Sequence, residues 1–252
     1  MTATPPLSPQ DAAGVARRAL PLLDLTDLSD APTATAAEDL CGRARASGVA
    51  AVCVWPDFVA GCVRALRGSG VRVATVINFP QGGDDVARAV AETRATLADG
   101  ADEIDLVLPY RALMRGDADG ARAMVAAVRD VCPGRLLKVI LETGELEEPA
   151  LISRASRLSL EAGADFIKTS TGKTPVSATP PAAEIMLEAI RTGAGRPAGL
   201  KVSGGLRRVE DASAYLALAD RVMGPDWASP GTFRIGASAL HAELVRALEA
   251  AP

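Results

Sequence analysis

Short apolar, β-branched runs alternate with longer amphipathic stretches along the chain. The runs predict strands over 20–26, 49–55, 71–78, 102–108, 136–142, 164–170, 199–203 and 233–236. Ala-, Arg- and Leu-rich segments with helical spacing lie between them. In 84–100, for example, Val86, Val90, Thr93 and Leu97 fall on one predicted helix face. The segment around 8–19 reads as an additional helix ahead of the first strand.

Eight strand–helix units point to a closed parallel barrel rather than an open sheet. The predicted fold is a (β/α)8 TIM barrel with an extra N-terminal helix. No linker or composition break divides the chain, so residues 1–252 are expected to form one barrel domain; such barrels run to roughly 250 residues. Four ionisable residues sharpen this picture. Asp105, Lys138, Lys168 and Lys201 lie 33, 30 and 33 residues apart, each inside an apolar strand. A strand–helix unit is about 30 residues long, so these side chains are expected at a comparable height on successive strands. A charge inside a strand is costly unless it is paired or functional.

Composition narrows the function. The net charge of −4, without long like-charge runs, leaves no electrostatic footprint for nucleic acid or an acidic membrane surface. Eight aromatic residues offer little for base stacking. No apolar run reaches the roughly 20 residues of a membrane helix. The opening MTATPPLSPQDAAG lacks the basic and apolar regions of a secretory signal, which points to the cytoplasm. Cys41, Cys53, Cys62 and Cys132 are scattered and read as reduced, buried side chains. With His241 the only histidine, neither a Cys/His metal site nor a His-based triad is expected, although His241 alone remains available as a base.

The lysines carry the strongest signal. Of 27 basic residues only four are lysines (Lys138, Lys168, Lys173 and Lys201), and the other 23 are arginines. A chain that uses arginine wherever a plain positive charge suffices keeps lysine where arginine cannot serve. Arginine stays protonated, whereas a deprotonated lysine attacks a carbonyl and forms an imine. That chemistry needs burial or a neighbouring cation to lower the amine's pKa. Lys168, expected between Lys138 and Lys201 on adjacent strands, is the best nucleophile, with Lys201 favoured over Lys138 as its perturber. Asp105 is the candidate proton-transfer group, with Glu103 and Asp102 as alternatives. Glu103 and Asp105 share strand parity and should face the same side. The competing structural reading pairs the three lysines with Asp105, Glu103 or Glu142 in an ion network.

Three small-residue segments follow the last predicted strands: TSTGK (169–173), SGGLRR (203–208) and IGAS (235–238). Barrels often bind a substrate phosphate with the loops after strands 7 and 8. Gly172, Gly204, Gly205, Gly236 and Ser238 are candidates for such a cradle, with Lys173 or Arg207 adding charge. TSTGK is not a P-loop, because Ile167 stands where that motif needs glycine.

The segments LLDLTDL (22–28), VCVWP (52–56), VINFPQG (76–82), GADEIDLVLPYRAL (100–113), LLKVILETGEL (136–146), AGADFIKTSTGK (162–173), KVSGG (201–205) and RIGASAL (234–240) resemble the deoxyribose-phosphate aldolases. The resemblance implies reversible cleavage of 2-deoxy-D-ribose 5-phosphate to D-glyceraldehyde 3-phosphate and acetaldehyde. It implies Schiff-base chemistry with neither metal nor organic cofactor, small phosphosugar and aldehyde substrates, and a homodimer. By resemblance Lys168 forms the imine, Lys201 tunes it and relays protons with Asp105, and Lys138 lines the site. Asp24 and Thr26 would contact sugar hydroxyls, and Thr171 belongs to the phosphate end. Val202 and Ser203 stand where some members have Pro and Ala, and Ala239 where a second serine is common, which bears on phosphate binding. The chain as read ends at Ala251-Pro252, without the Tyr-ended tail of some members, so no tail-mediated closure is expected. Cys53 falls near the pocket and reads foremost as packing. The rival readings are a different lysine-dependent aldolase with a ketone donor, and a sugar-phosphate binding protein without catalysis.

Overall fold

The computed structural model of the chain describes residues 7–193 and 195–250. Eight parallel strands close into a barrel in sequence order: β1 (Leu23–Asp27), β2 (Ala51–Val54), β3 (Arg72–Ile77), β4 (Glu103–Val107), β5 (Leu136–Ile140), β6 (Phe166–Lys168), β7 (Gly199–Ser203) and β8 (Phe233–Ala237). The connecting helices are α1 (Pro9–Ala19), α2 (Ala34–Ser47), α3 (Val59–Ala65), α4 (Val86–Ala98), α5 (Tyr110–Met114), α6 (Ala118–Val131), α7 (Thr143–Leu146), α8 (Pro149–Glu161), α9 (Pro180–Thr192), α10 (Val209–Met223) and α11 (Leu240–Glu249). The predicted TIM barrel and its additional N-terminal helix are both present.

The differences are local. β1 begins at Leu23 because Leu20–Leu22 form a 3-10 turn around Pro21; proline fixes φ and lacks the N–H that a strand ladder needs. The helix predicted over 84–100 is α4, capped by the Asp85 side chain, which accepts the Arg88 N–H at 2.9 Å. Its buried face runs through Ala89, Thr93 and Thr96, while Val86, Val90 and Leu97 are half-buried at its edges. In α1, Ser8 caps the helix, Pro9 occupies its first turn, and Ala13, Ala16 and Ala19 are buried where the helix packs on α10 and α11. The small alanine face permits that close approach. Residues 1–6 of the predicted leaderless start, and Ala251-Pro252 of the tail, lie outside the described residues. No helix among the described residues is long and apolar enough to cross a membrane.

Strand alternation divides side chains between two environments. Residues such as Leu25, Val52, Ile104, Val139, Ile167, Leu200 and Ile235 point outward and form the core beneath the helices. The barrel interior is itself split. On the β2–β3 side it is apolar, with Ala51, Cys53, Ala74 and Val76 packed beneath Trp55 and Phe79, whose rings meet edge to face at 5.3 Å. From β4 round to β1 it is charged.

Candidate active site

Six strands each place at least one charged residue inside the barrel: Asp24 from β1, Glu103 and Asp105 from β4, Lys138 from β5, Lys168 from β6, Lys201 from β7 and Arg234 from β8. All seven are buried, and they form one ion network. Asp105 is its centre. Its Oδ1 accepts from Lys138 Nζ at 2.7 Å, and its Oδ2 accepts from both Lys168 Nζ and Lys201 Nζ at 2.8 Å. Lys138 also donates to Glu103 Oε2 at 2.6 Å. Lys201 Nζ lies 2.6 Å from Asp24 Oδ2 in an ion pair. Arg234 closes the circuit, donating to Asp24 Oδ1 at 2.6 Å, Glu103 Oε1 at 2.9 Å and the Pro230 carbonyl at 2.6 Å.

The register refines the sequence reading of the lysines. Lys168 is level with Lys201 and Ile140, whereas Lys138 is level with Asp105 and Phe166, two residues lower on β5. Lys201, not Lys138, is therefore the strand neighbour of Lys168. The three amines still converge, because their long stems reach Asp105 from different heights. Glu103 and Asp105 face the same side, as their parity requires. Asp102 does not reach this group: its Oδ2 accepts the Val73 N–H at 3.0 Å and its Oδ1 pairs with Arg135 at 3.2 Å.

Burial acts differently on the members of this network. For Lys168, burial and the adjacent Lys201 charge outweigh Asp105 and lower the amine's pKa. For Lys201, burial is overcome by Asp105 and Asp24, which hold its pKa well above the ordinary lysine range. Lys138 is likewise raised despite burial, by Asp105, Glu103 and Asp24. Asp105 is held well below the usual carboxylate range because three lysines overcome its desolvation. The network thus holds two lysines, Lys138 and Lys201, more firmly protonated than an ordinary lysine, and one, Lys168, that gives up its proton more readily.

Above it lies a cavity of about 460 Å³ at the C-terminal ends of the strands, the face where barrel active sites form. Thr26, Thr171, Gly172, Lys173, Ser203, Gly204, Gly205, Arg207, Gly236, Ser238 and Ala239 line it. A Cβ at Gly236 would meet Ser203 Oγ at 2.7 Å and Lys201 Cε at 2.9 Å, so only glycine leaves room there for both side chains. Gly204, at φ +88°, approaches the Ser177 side chain too closely for any Cβ. Lys173 is ion-paired with the exposed Asp30, and Arg207 is exposed at the rim. Thr171 donates its hydroxyl to Glu142 Oε2 at 2.5 Å. Asp24, like Asp105, Lys138, Lys168 and Lys201, is buried in the network beneath the cavity and is not among the residues that line it. Its strand neighbour Thr26 does line the cavity, with its hydroxyl donated to the Asp24 carbonyl at 2.8 Å. Val202 points into the outer core, so only Ser203 and Ala239 of the three departures face the cavity.

Residues 18–242 match the DeoC/LacD family aldolases. The chain belongs to that family. It is 51% identical over 244 residues to a protein of Agrobacterium fabrum (strain C58) named deoxyribose-phosphate aldolase, covering 95% of this chain and 93% of the relative. A solved structure of a candidate deoxyribose-phosphate aldolase from Toxoplasma gondii ME49 has a TM-score of 0.89 at 28% identity, with 96% of each chain covered. Another, from Coccidioides immitis, has a TM-score of 0.82 at 31% identity, covering 92% of this chain and 85% of that one. This chain is therefore an aldolase, a carbon–carbon lyase.

Two other groups complete the site of this aldolase; sequence reasoning gave Arg234 no role and named Glu142 only as a possible partner in the rival ion network. Arg234 was hidden among 23 arginines; its position within an apolar strand was the available signal. Glu142, with φ +57°, follows β5 and receives Thr171 and Thr174. Burial raises its carboxyl, partly offset by those bonds and by Lys168. Cys53 Sγ lies 4.0 Å from Asp105 Oδ2, and burial pushes its thiol up. His241 is bonded to Ser47 Oγ of α2 at 2.8 Å, outside the strand layer.

Proposed function

We propose that this aldolase reversibly cleaves 2-deoxy-D-ribose 5-phosphate to D-glyceraldehyde 3-phosphate and acetaldehyde through a Schiff base on Lys168. The observation that carries the reading is a buried lysine, level with Lys201 on the next strand and bonded to Asp105 at 2.8 Å, whose pKa burial and the Lys201 charge lower. Such an amine is both nucleophilic and protected from water. In cleavage, Lys168 Nζ adds to the aldehyde carbon of the open-chain sugar, and loss of water leaves the imine. Removal of the proton from the C3 hydroxyl then breaks the C2–C3 bond. Glyceraldehyde 3-phosphate departs, and the electron pair remains as an enamine. Protonation of the enamine and hydrolysis release acetaldehyde and restore the amine. Asp105 and Lys201, within 2.8 Å of one another and both near Lys168, are assigned the proton transfers.

The phosphate is assigned to the cavity end formed by Gly172, Gly204, Gly205, Gly236 and Ser238, beside the start of α11. Lys173 would exchange Asp30 for the phosphate, and Arg207 adds charge at the rim. The backbone approach permitted by glycine, rather than the missing second serine at Ala239, supports this assignment. A cytoplasmic homodimer acting without a metal or organic cofactor completes the reading.

Borohydride reduction in the presence of acetaldehyde, followed by peptide mass mapping, tests the mechanism. A reduced two-carbon adduct on Lys168 is expected. An adduct on Lys138 or Lys201 reassigns the nucleophile, and no adduct in folded protein removes the Schiff base. A ketone-donor aldolase would not take acetaldehyde into this adduct. Lys201→Leu removes the neighbouring cation, so the pH–rate profile should move towards higher pH. A slow enzyme with an unmoved profile would assign Lys201 to proton relay alone.

A further inference from the structure

The buried network has one more base than it has carboxylates. Asp24, Glu103 and Asp105 supply three acidic groups, against Lys138, Lys168, Lys201 and Arg234, and none of the seven is more than 4% exposed. A buried charge without a counterion is costly, so one base is driven to shed its proton. Arg234 cannot do so. Lys138 lies within ion-pair distance of three carboxylates, at 2.6, 2.7 and 3.7 Å, and Lys201 of two, at 2.6 and 2.8 Å. Lys168 has only Asp105, which it shares with both other lysines.

We propose that Arg234 is a positioning residue for the aldol reaction: as a permanent cation on Asp24 and Glu103, it takes up part of their charge and leaves Lys168 as the base without a counterion of its own, sharing Asp105 with two other lysines. The inference rests on the reading of Lys168 as the imine-forming residue. Arg234 is well placed for this role. Its guanidinium spans β1 and β4 from β8, its Nε is fixed by the Pro230 carbonyl, and it lies 5.9 Å from the Phe166 ring centroid. Among the described residues it makes no hydrogen bond or ion pair with a side chain of the cavity lining; its side-chain acceptors are the carboxylates of Asp24 and Glu103.

None of the other groups facing the network makes an ion pair with it among the described residues. β2 adds Cys53, a thiol kept neutral by burial. β3 adds only Ala74 and Val76. Glu142 is held by Thr171 and Thr174 rather than by a base; burial raises its carboxyl, and Lys168 acts on it only at longer range, without an ion pair among the described residues.

The test is the pH dependence of the borohydride-trapped acetaldehyde adduct on Lys168. Arg234→Met is expected to raise the midpoint by about one pH unit or more, with roughly tenfold less adduct at neutral pH for each unit. Arg234→Lys keeps the charge and should keep the midpoint near that of the wild type. The double variant Arg234→Met, Glu103→Gln restores the count and should return the midpoint towards wild type, which a loss of packing alone would not do. Should Arg234→Met fail to fold, Glu103→Gln alone carries the test. It leaves two surplus bases and should lower the midpoint. An unmoved midpoint in Arg234→Met, no recovery in the double variant, or an unmoved or raised midpoint in Glu103→Gln overturns the role of Arg234 while leaving Lys168 in place. Absence of the adduct from the wild type overturns the reading beneath it, and the inference with it.

Discussion

Lys168→Arg is expected to lose more than 99.9% of turnover, to below roughly one part in a thousand, while the barrel stays folded. Arginine can keep the bond to Asp105, but it is protonated at any working pH and cannot form the imine. It also adds a permanent fourth cation to a site with three carboxylates. Lys168→Met provides the contrast. It is equally unable to form an imine but leaves the buried charges balanced, so its Tm should exceed that of Lys168→Arg. Steady-state cleavage of deoxyribose 5-phosphate and thermal melts measure the two effects. Residual activity above that threshold in both variants would point to another nucleophile. Equal melting temperatures would count against the surplus-base account.

Asp105→Asn should be costly in both activity and stability. The aspartate is the one acceptor shared by Lys138, Lys168 and Lys201. Removing one partner from a buried ion pair typically costs about 3–5 kcal/mol, which at this chain length lowers the Tm by on the order of 10 °C. Loss of a positioned proton-transfer group takes a further ~10²–10⁴ from the rate. Acid unfolding supplies a second readout. The folded-state pKa of Asp105 is depressed, so its stabilisation is complete above the unfolded carboxylate value, near 4, and is lost as pH falls through the folded value. The asparagine variant should therefore lose less stability than the wild type on acidification below about pH 4. A variant with wild-type Tm and an unchanged acid limb would show that the three amines do not depend on Asp105.

The barrel was legible because its strands carry both an apolar run and a repeating charge. The 33-, 30- and 33-residue spacing of Asp105, Lys138, Lys168 and Lys201 matched the observed strand sequence. Parity correctly put Glu103 and Asp105 on one side. It could not by itself separate them from Asp102, whose position just ahead of β4 binds it to Val73 and Arg135 instead. The rarity of lysine drew attention to Lys168 and Lys201, but the same reasoning concealed Arg234 by treating arginine as a plain surface charge. The resemblance gave Asp24 a contact to substrate and no protein partner; closure of β8 onto β1 also brings Arg234 against it. Sequence separation hides that pairing: the partners lie 210 residues apart and meet only when the barrel closes. The heights of the lysines were similarly out of reach, because inter-strand register depends on the shear of the whole barrel.

The ion network is carried by strand side chains, while much of the cavity above it is loop backbone with small residues. These two layers impose different rules on change. Ser203, Ser238 and Ala239 can be replaced one at a time to explore other acceptor aldehydes, since none carries a charge that must be balanced. Each of the seven buried ionisable positions has neighbours whose protonation depends on it, so a tolerated change there calls for a second. Divergence among barrels built this way should proceed by single substitutions around the rim and by coupled pairs in the interior.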